Sequence, residues 1–176
     1  LIVVLNTLKK DDEMKISCAL SPKMIVQQGL AGQVAVMIDV LRASTVIITA
    51  LGNGSKWVYP VRTRNQAIQA KEQFISENPL LAGERLGVKI PGFDLGNSPL
   101  EFVREKVNNR GIIMTTTNGT AAIVQLRKAR RVVVGSFINV SAVVELVKNT
   151  EDLLLVCAGT KQKVALEDTA CAGAII

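Results

Sequence analysis

Residues 34–38, Val-Ala-Val-Met-Ile, run without interruption into Asp39, and the next residues, Val40-Leu-Arg-Ala-Ser-Thr45, hand over to small and apolar residues at helical spacing. Five consecutive apolar residues ending in a carboxylate describe a strand buried on both faces, with a charge at its carboxyl end. In open α/β sheets ligands collect at that end, so Asp39 with Arg42, Ser44 and Thr45 forms a candidate anion or metal site. Capping the following helix is the other job an Asp does there.

The pattern recurs along the chain. Strand-like segments at 14–20, 56–61, 111–116, 131–135 and 153–157 alternate with helical ones at 43–51, 63–77, 119–129, 139–148 and from about 168 onward. Ser21-Pro22 opens a further short helix ending near Gly29. Such alternation implies parallel connections and a three-layer α/β/α sandwich with a mostly parallel sheet. A hydrophobic fraction of 48% with only 3% aromatic makes the core aliphatic, as such sheets require. At 176 residues one domain is expected, over 14–176. Residues 1–13, which end in Lys9-Lys-Asp-Asp-Glu13, are expected to form a disordered extension. The apolar, uncapped stretch Cys171–Ile176 suggests that further C-terminal elements follow. The stretch 82–104 is rich in Gly and Pro and reads as a long, functional loop.

Composition narrows the function. No apolar run reaches the length of a membrane span, and Leu1–Asn6 lacks the flanks of a secretory signal. Cys18, Cys157 and Cys171 are odd in number and far apart, which fits reduced thiols and a cytoplasmic location. With no histidine, acid–base work falls to carboxylates, Lys, Cys or water, and a hard cation on oxygen ligands is the natural metal. The net charge of +6 favours an anionic ligand. The one dense basic cluster, Arg127, Lys128, Arg130 and Arg131, falls at an expected helix end, so nucleic acid is not the expected partner.

Four strand ends share a chemistry: Asp39-Val-Leu-Arg42, Thr115-Thr-Thr-Asn-Gly-Thr120, Gly135-Ser-Phe-Ile-Asn139 and Cys157-Ala-Gly-Thr160. Each alone is more often a helix cap, but in one parallel sheet the four would meet on one edge and offer N–H groups to an anion, and their recurrence favours such a shared site. Glu84, Asp94, Glu167 and Asp168 supply further carboxylates, sufficient for Mg²⁺ if the fold gathers them. The P-loop and G-x-G-x-x-G patterns are absent, and Leu41 stands where aspartyl-nucleophile phosphatases carry a second Asp.

Those strand ends, with Gly83-Glu84-Arg85, Gly92-Phe-Asp-Leu-Gly-Asn-Ser-Pro-Leu-Glu101 and Leu166-Glu-Asp-Thr169, resemble in order the 2-phosphosulfolactate phosphatase family over about residues 14–176. The resemblance implies a Mg²⁺-dependent phosphatase that converts 2-phosphosulfolactate, or a similar phosphorylated hydroxy acid, to sulfolactate and phosphate. In that family the step leads toward coenzyme M or related sulfolactate metabolism. On this reading Asp39, Glu167 and Asp168 hold Mg²⁺ and Glu84 is the general acid/base. Arg42, Thr117, Asn118, Gly119, Ser136, Asn139, Gly159 and Thr160 bind the substrate. Asp39 acting as a nucleophile remains a second chemistry, and a non-catalytic anion- or nucleotide-binding module a second function. The expected partner is a small anionic phosphorylated substrate, without nucleic acid or membrane, a homo-oligomer being possible.

Overall fold

A computed structural model describes the backbone of Ile2–Leu5 together with residues 14–161 and 163–176. Of the N-terminal stretch set apart above, β1 (Ile2–Leu5) pairs antiparallel with β2 (Lys15–Ala19), while Leu1 and residues 6–13 lie outside the described residues. The remaining strands are β3 (Val34–Ile38), β4 (Trp57–Pro60), β5 (Leu80–Arg85), β6 (Val88–Lys89), β7 (Gly111–Thr115), β8 (Arg131–Gly135) and β9 (Asp152–Cys157). The α-helices are α1 (Ala43–Gly52), α2 (Arg64–Gln73), α3 (Arg104–Val107), α4 (Gly119–Gln125), α5 (Val140–Val147) and α6 (Leu166–Ile175).

The strands divide between two mostly parallel sheets, ordered β1-β2-β9-β3-β8 and β4-β7-β5-β6. Alternation along β3 explains how the first is covered. Val34, Val36 and Ile38 pack toward Val143 and Val147 of α5 and Cys171, Ala172 and Ile175 of α6. Ala35 and Met37 face Ala122 of α4 and Leu126, its C-cap. The second sheet repeats the scheme, with Ile112 and Met114 of β7 packed against Ala43, Val46 and Ile47 of α1, and Ile113 against Ala67 and Ala70 of α2. The expected α/β/α layering is therefore present around each sheet.

One exchange places the site. Helix α1 leaves the first sheet after β3 but covers the second, whereas α4 leaves the second after β7 and covers the first. The carboxyl ends of β3 and β7 consequently confront one another across the junction. The strand ends at 39, 135 and 157 do share an edge; the one at 115 reaches them from the other sheet.

Three local expectations change. The segment after Ser21-Pro22 makes only a 3-10 turn, Pro22–Met24, because it carries no apolar stripe to bury and Gly29 turns back at φ +86°. Strand β5 and the β5–β6 hairpin occupy part of the stretch read as irregular, since Leu80–Ala82 is buried between neighbours while Gly87 supplies the positive φ of the turn. Helix α3 (Arg104–Val107) starts at the end of that stretch and is too short to carry a periodic signal. The three cysteines are free and buried.

Candidate active site

The chain leaves β3 at Asp39, which is 7% exposed. Its main chain is locked by Ser44, whose Oγ accepts the Asp39 N–H at 2.8 Å and whose N–H donates to the Asp39 carbonyl at 2.9 Å. The carboxylate turns back on the start of α1, where the Ala43 N–H donates to Oδ1 at 3.1 Å. The other oxygen, Oδ2, faces Gly119: a Cβ there would lie 2.5 Å from Oδ2 and 2.5 Å from the Ala43 Cβ. Only glycine permits this approach of α4 to α1.

Behind Asp39, Asp168 is 2% exposed and ties two strand ends together, accepting the Val40 N–H at 2.8 Å and the Gly159 N–H at 2.9 Å. Burial raises its pKa against these two hydrogen bonds, which lower it. Desolvation and the nearby Asp168 charge push Asp39 up to about 7, opposed by the N–H groups of Ala43 and Arg42, with the Glu84 charge adding a smaller rise. No salt bridge reaches Asp39, Glu84 or Asp168 among the described residues.

Glu84, at the end of β5, is 6% exposed. Its Oε1 accepts the Thr117 N–H at 2.7 Å, and its Oε2 accepts the Gly87 N–H at 2.6 Å and the Thr117 hydroxyl at 3.2 Å. All three partners are donors, so Glu84 serves here as an acceptor holding two turns. Arg85 locks the same region, donating to the Glu84 carbonyl, to Thr115 Oγ1 and to the Arg62 carbonyl. Thr116 and Thr120 bond reciprocally through their side chains and N–H groups, which fixes the start of α4. The N–H groups of Asn118 and Gly119 are left without acceptors among the described residues.

These elements enclose a cavity of about 340 Å³. Asp39, Arg42, Glu84, Thr117, Asn118 and Thr160 line it, as does Asn97. Gly119 adjoins it through Asp39, and Gly159 joins it to Asp168. Ser136 and Asn139 are placed differently. The Ser136 N–H donates to Asn139 Oδ1 at 2.9 Å and its hydroxyl meets Thr45 Oγ1 at 2.8 Å, a cap that braces α1 from beside the cavity. Glu167 is half-buried in the first turn of α6 and does not line the cavity. No group of three His, Cys, Asp or Glu side chains forms a ready metal cage among the described residues.

The readings from sequence left out Asn97 and Lys161, which also line the cavity. The signal for Asn97 was its place in the run 92–101, where a polar residue between Gly96 and Ser98-Pro99 marks a shaped turn rather than a helix or strand. A larger groove of about 840 Å³ runs between α2 and α4, but no carboxylate lines it and its glutamines and basic residues carry no chemistry of this kind. No helix among the described residues is long and apolar enough to cross a membrane.

Comparison with known proteins adds to this geometry. The model of the family described as 2-phosphosulpholactate phosphatase matches residues 19–176. A probable 2-phosphosulfolactate phosphatase of Thermotoga maritima is 50% identical over 142 residues, covering 81% of this chain and 60% of the relative. Proteins of the same description from Clostridium beijerinckii and Symbiobacterium thermophilum are 42% and 49% identical, over 93% and 84% of this chain and 69% and 64% of their own lengths. The chain spans about three fifths of the length of the Thermotoga relatives it matches.

Proposed function

The chain belongs to the 2-phosphosulpholactate phosphatase family, and from that premise we propose that the cavity at Asp39 hydrolyses 2-phosphosulfolactate, or a similar phosphorylated hydroxy acid, to sulfolactate and phosphate. The observation that supports this best is a buried carboxylate, Asp39, lining one small cavity with Asn118 and lying against Gly119, whose two N–H groups have no acceptor among the described residues. In the reaction the oxygen of water bonds to phosphorus, the bond from phosphorus to the C2 oxygen breaks, and the proton ends on that oxygen. The N–H groups of Asn118 and Gly119, with Arg42, bind the phosphoryl oxygens and the charge that grows on them. Asp39 orients the attacking water, Thr160 and Lys161 close the mouth, and Glu84 holds the Thr117–Asn118 turn in register. The setting proposed is a cytoplasmic one, on a route toward coenzyme M or related sulfolactate metabolism.

The donor set fits Mg²⁺. Asp39 lines the cavity with no ion pair among the described residues, whereas both oxygens of Glu84 and of Asp168 already accept hydrogen bonds, and one such carboxylate plus waters and phosphate oxygens suffices for this ion. Asp39 would hold it, with Asp168 stationed behind. When bound, Mg²⁺ offsets the phosphoryl charge and acidifies water.

Phosphate release from a panel of phosphorylated hydroxy acids, with Mg²⁺ and with chelator, tests the reading. Release from 2-phosphosulfolactate that disappears with chelator is expected. Ligand-induced stabilisation without release from any member would leave an anion-binding module instead. Acid quench during turnover of ³²P-labelled substrate should leave no label on protein; label on an Asp39 peptide would replace direct water attack by a covalent route.

A further inference from the structure

Residues 92–98 run beside β5 on the edge away from β7. Leu95 pairs in parallel with Ala82, its carbonyl accepting the Gly83 N–H at 3.1 Å and its N–H donating to the Leu81 carbonyl at 3.0 Å. Ala82 is also in register with Met114 of β7. At Ala82 the order is therefore β7, β5 and then the Leu95 segment that leads to Asn97, while from Glu84 onward the same edge of β5 is taken by β6, where Lys89 pairs with Glu84. The bend at Gly96 is braced by Glu101, whose Oε2 accepts the Gly96 N–H at 2.8 Å, and a Cβ on Gly96 would meet Glu101 Oε1 at 2.6 Å.

That bend sets Asn97 in the cavity wall, 8% exposed. Its Oδ1 is fully buried with no hydrogen-bond partner, the one buried side-chain polar atom so left among the described residues. Buried amides are normally paired, because an unpaired one forfeits its bonds to water with nothing in return. The neighbouring polar groups on this wall, Glu84 and Thr117, are paired already, and Asn97 Oδ1 has no partner among the described residues.

We propose that Asn97 recognises the non-phosphoryl end of the substrate, the sulfonate or carboxylate and adjoining oxygen of a phosphorylated hydroxy acid. This deepens the function proposed above and rests on it. A phosphoryl group on the Asn118 and Gly119 N–H groups occupies the end of the cavity that follows β7, and Asn97 enters the wall from the segment on the other side of β5. The carboxamide donates from Nδ2 to a sulfonate or carboxylate oxygen, and its Oδ1 accepts from the C2 hydroxyl that hydrolysis frees, a pair of contacts that a phosphate held at the other end of the cavity does not make. Being uncharged, it adds a donor beside Glu84 without forming an ion pair that would compete for that carboxylate.

Binding of sulfolactate and of inorganic phosphate, each alone, is measured by calorimetry on the wild-type protein, Asn97→Ala and Asn97→Asp. Asn97→Ala should raise the sulfolactate Kd about 10- to 100-fold while phosphate affinity changes by no more than about twofold, and Asn97→Asp should weaken sulfolactate further by repulsion. In turnover the loss should appear in KM rather than kcat. The unliganded Tm of Asn97→Ala should equal or exceed that of the wild type, since no protein partner is lost. A fall in Tm with unchanged sulfolactate affinity overturns the inference, as does equal weakening of both ligands or a wild-type protein that does not bind sulfolactate. Selective sulfolactate binding lost in Asn97→Ala, in a protein that releases no phosphate, would sink the proposed hydrolysis while upholding the role of Asn97.

Discussion

Replacing Asp39 by Asn should change how the stability of the metal-free protein depends on pH. Burial and the Asp168 charge raise the Asp39 pKa from 3.8 to about 7 in the folded chain. The folded protein therefore retains this proton over a range in which the unfolded chain has released it. Stability is greatest below the unfolded pKa and declines as pH rises toward the folded one. About 3 units at 1.36 kcal/mol each give a loss of up to about 4 kcal/mol between pH 4 and pH 7, levelling above that. Asp168 is raised as well and adds a slope of the same sign, so the difference between wild type and Asp39→Asn isolates Asp39. Urea unfolding in chelator, followed from pH 4.5 to 8.5, should give curves that meet at the acid end and separate in favour of the variant above pH 7. Mg²⁺ added at pH 8 should restore the wild type and leave the variant unmoved, with a gain of about 2.7 kcal/mol at a hundredfold excess over Kd. Parallel stability curves across the whole range would refute the argument that Asp39 is a strained, uncompensated carboxylate.

Gly119→Ala must push a methyl group against Asp39 and Ala43, at about 1–3 kcal/mol in urea unfolding and with loss of phosphate release. Gly173→Ala in α6 meets nothing within 4 Å and should stabilise by up to about 1 kcal/mol. Glu84→Gln places an amide donor toward the Thr117 or Gly87 N–H; a cost of about 1–3 kcal/mol is expected, with activity falling at least about tenfold as the Thr117–Asn118 turn shifts. Ser44→Ala leaves the Asp39 N–H without its acceptor, for about 1–3 kcal/mol by thermal or urea unfolding, although Ser44 does not line the cavity.

Much of the fold could be read because its signals are local. The buried strand at 34–38, the small-residue helix after it and the alternation to residue 157 follow from side-chain periodicity, which neighbours in sequence settle among themselves. The helix opening at Thr63 and the Gly119 opening of α4 are equally local, as is the family resemblance, since it consists of short runs in a set order. Strand β5 was harder. Its Gly83-Glu84-Arg85 end looks like loop, and its strand state comes from burial between β7 and the Leu95 segment.

The residues alone determined an aliphatic α/β chain without histidine, whose strand ends carry carboxylates, hydroxyls and glycines. Only the tertiary structure decided which of these meet. The exchange of α1 and α4 between two sheets brings Asp39 against Gly119, turns Ser136 and Asn139 into a brace rather than a cavity wall, and leaves Glu167 outside it. It also leaves Asn97 Oδ1 buried without a partner among the described residues. The physical reason is that sheet membership and helix docking are set by which apolar faces cover one another, a sum over residues far apart in the chain, whereas whether a polar atom is paired depends on the few ångströms around it once that packing is complete.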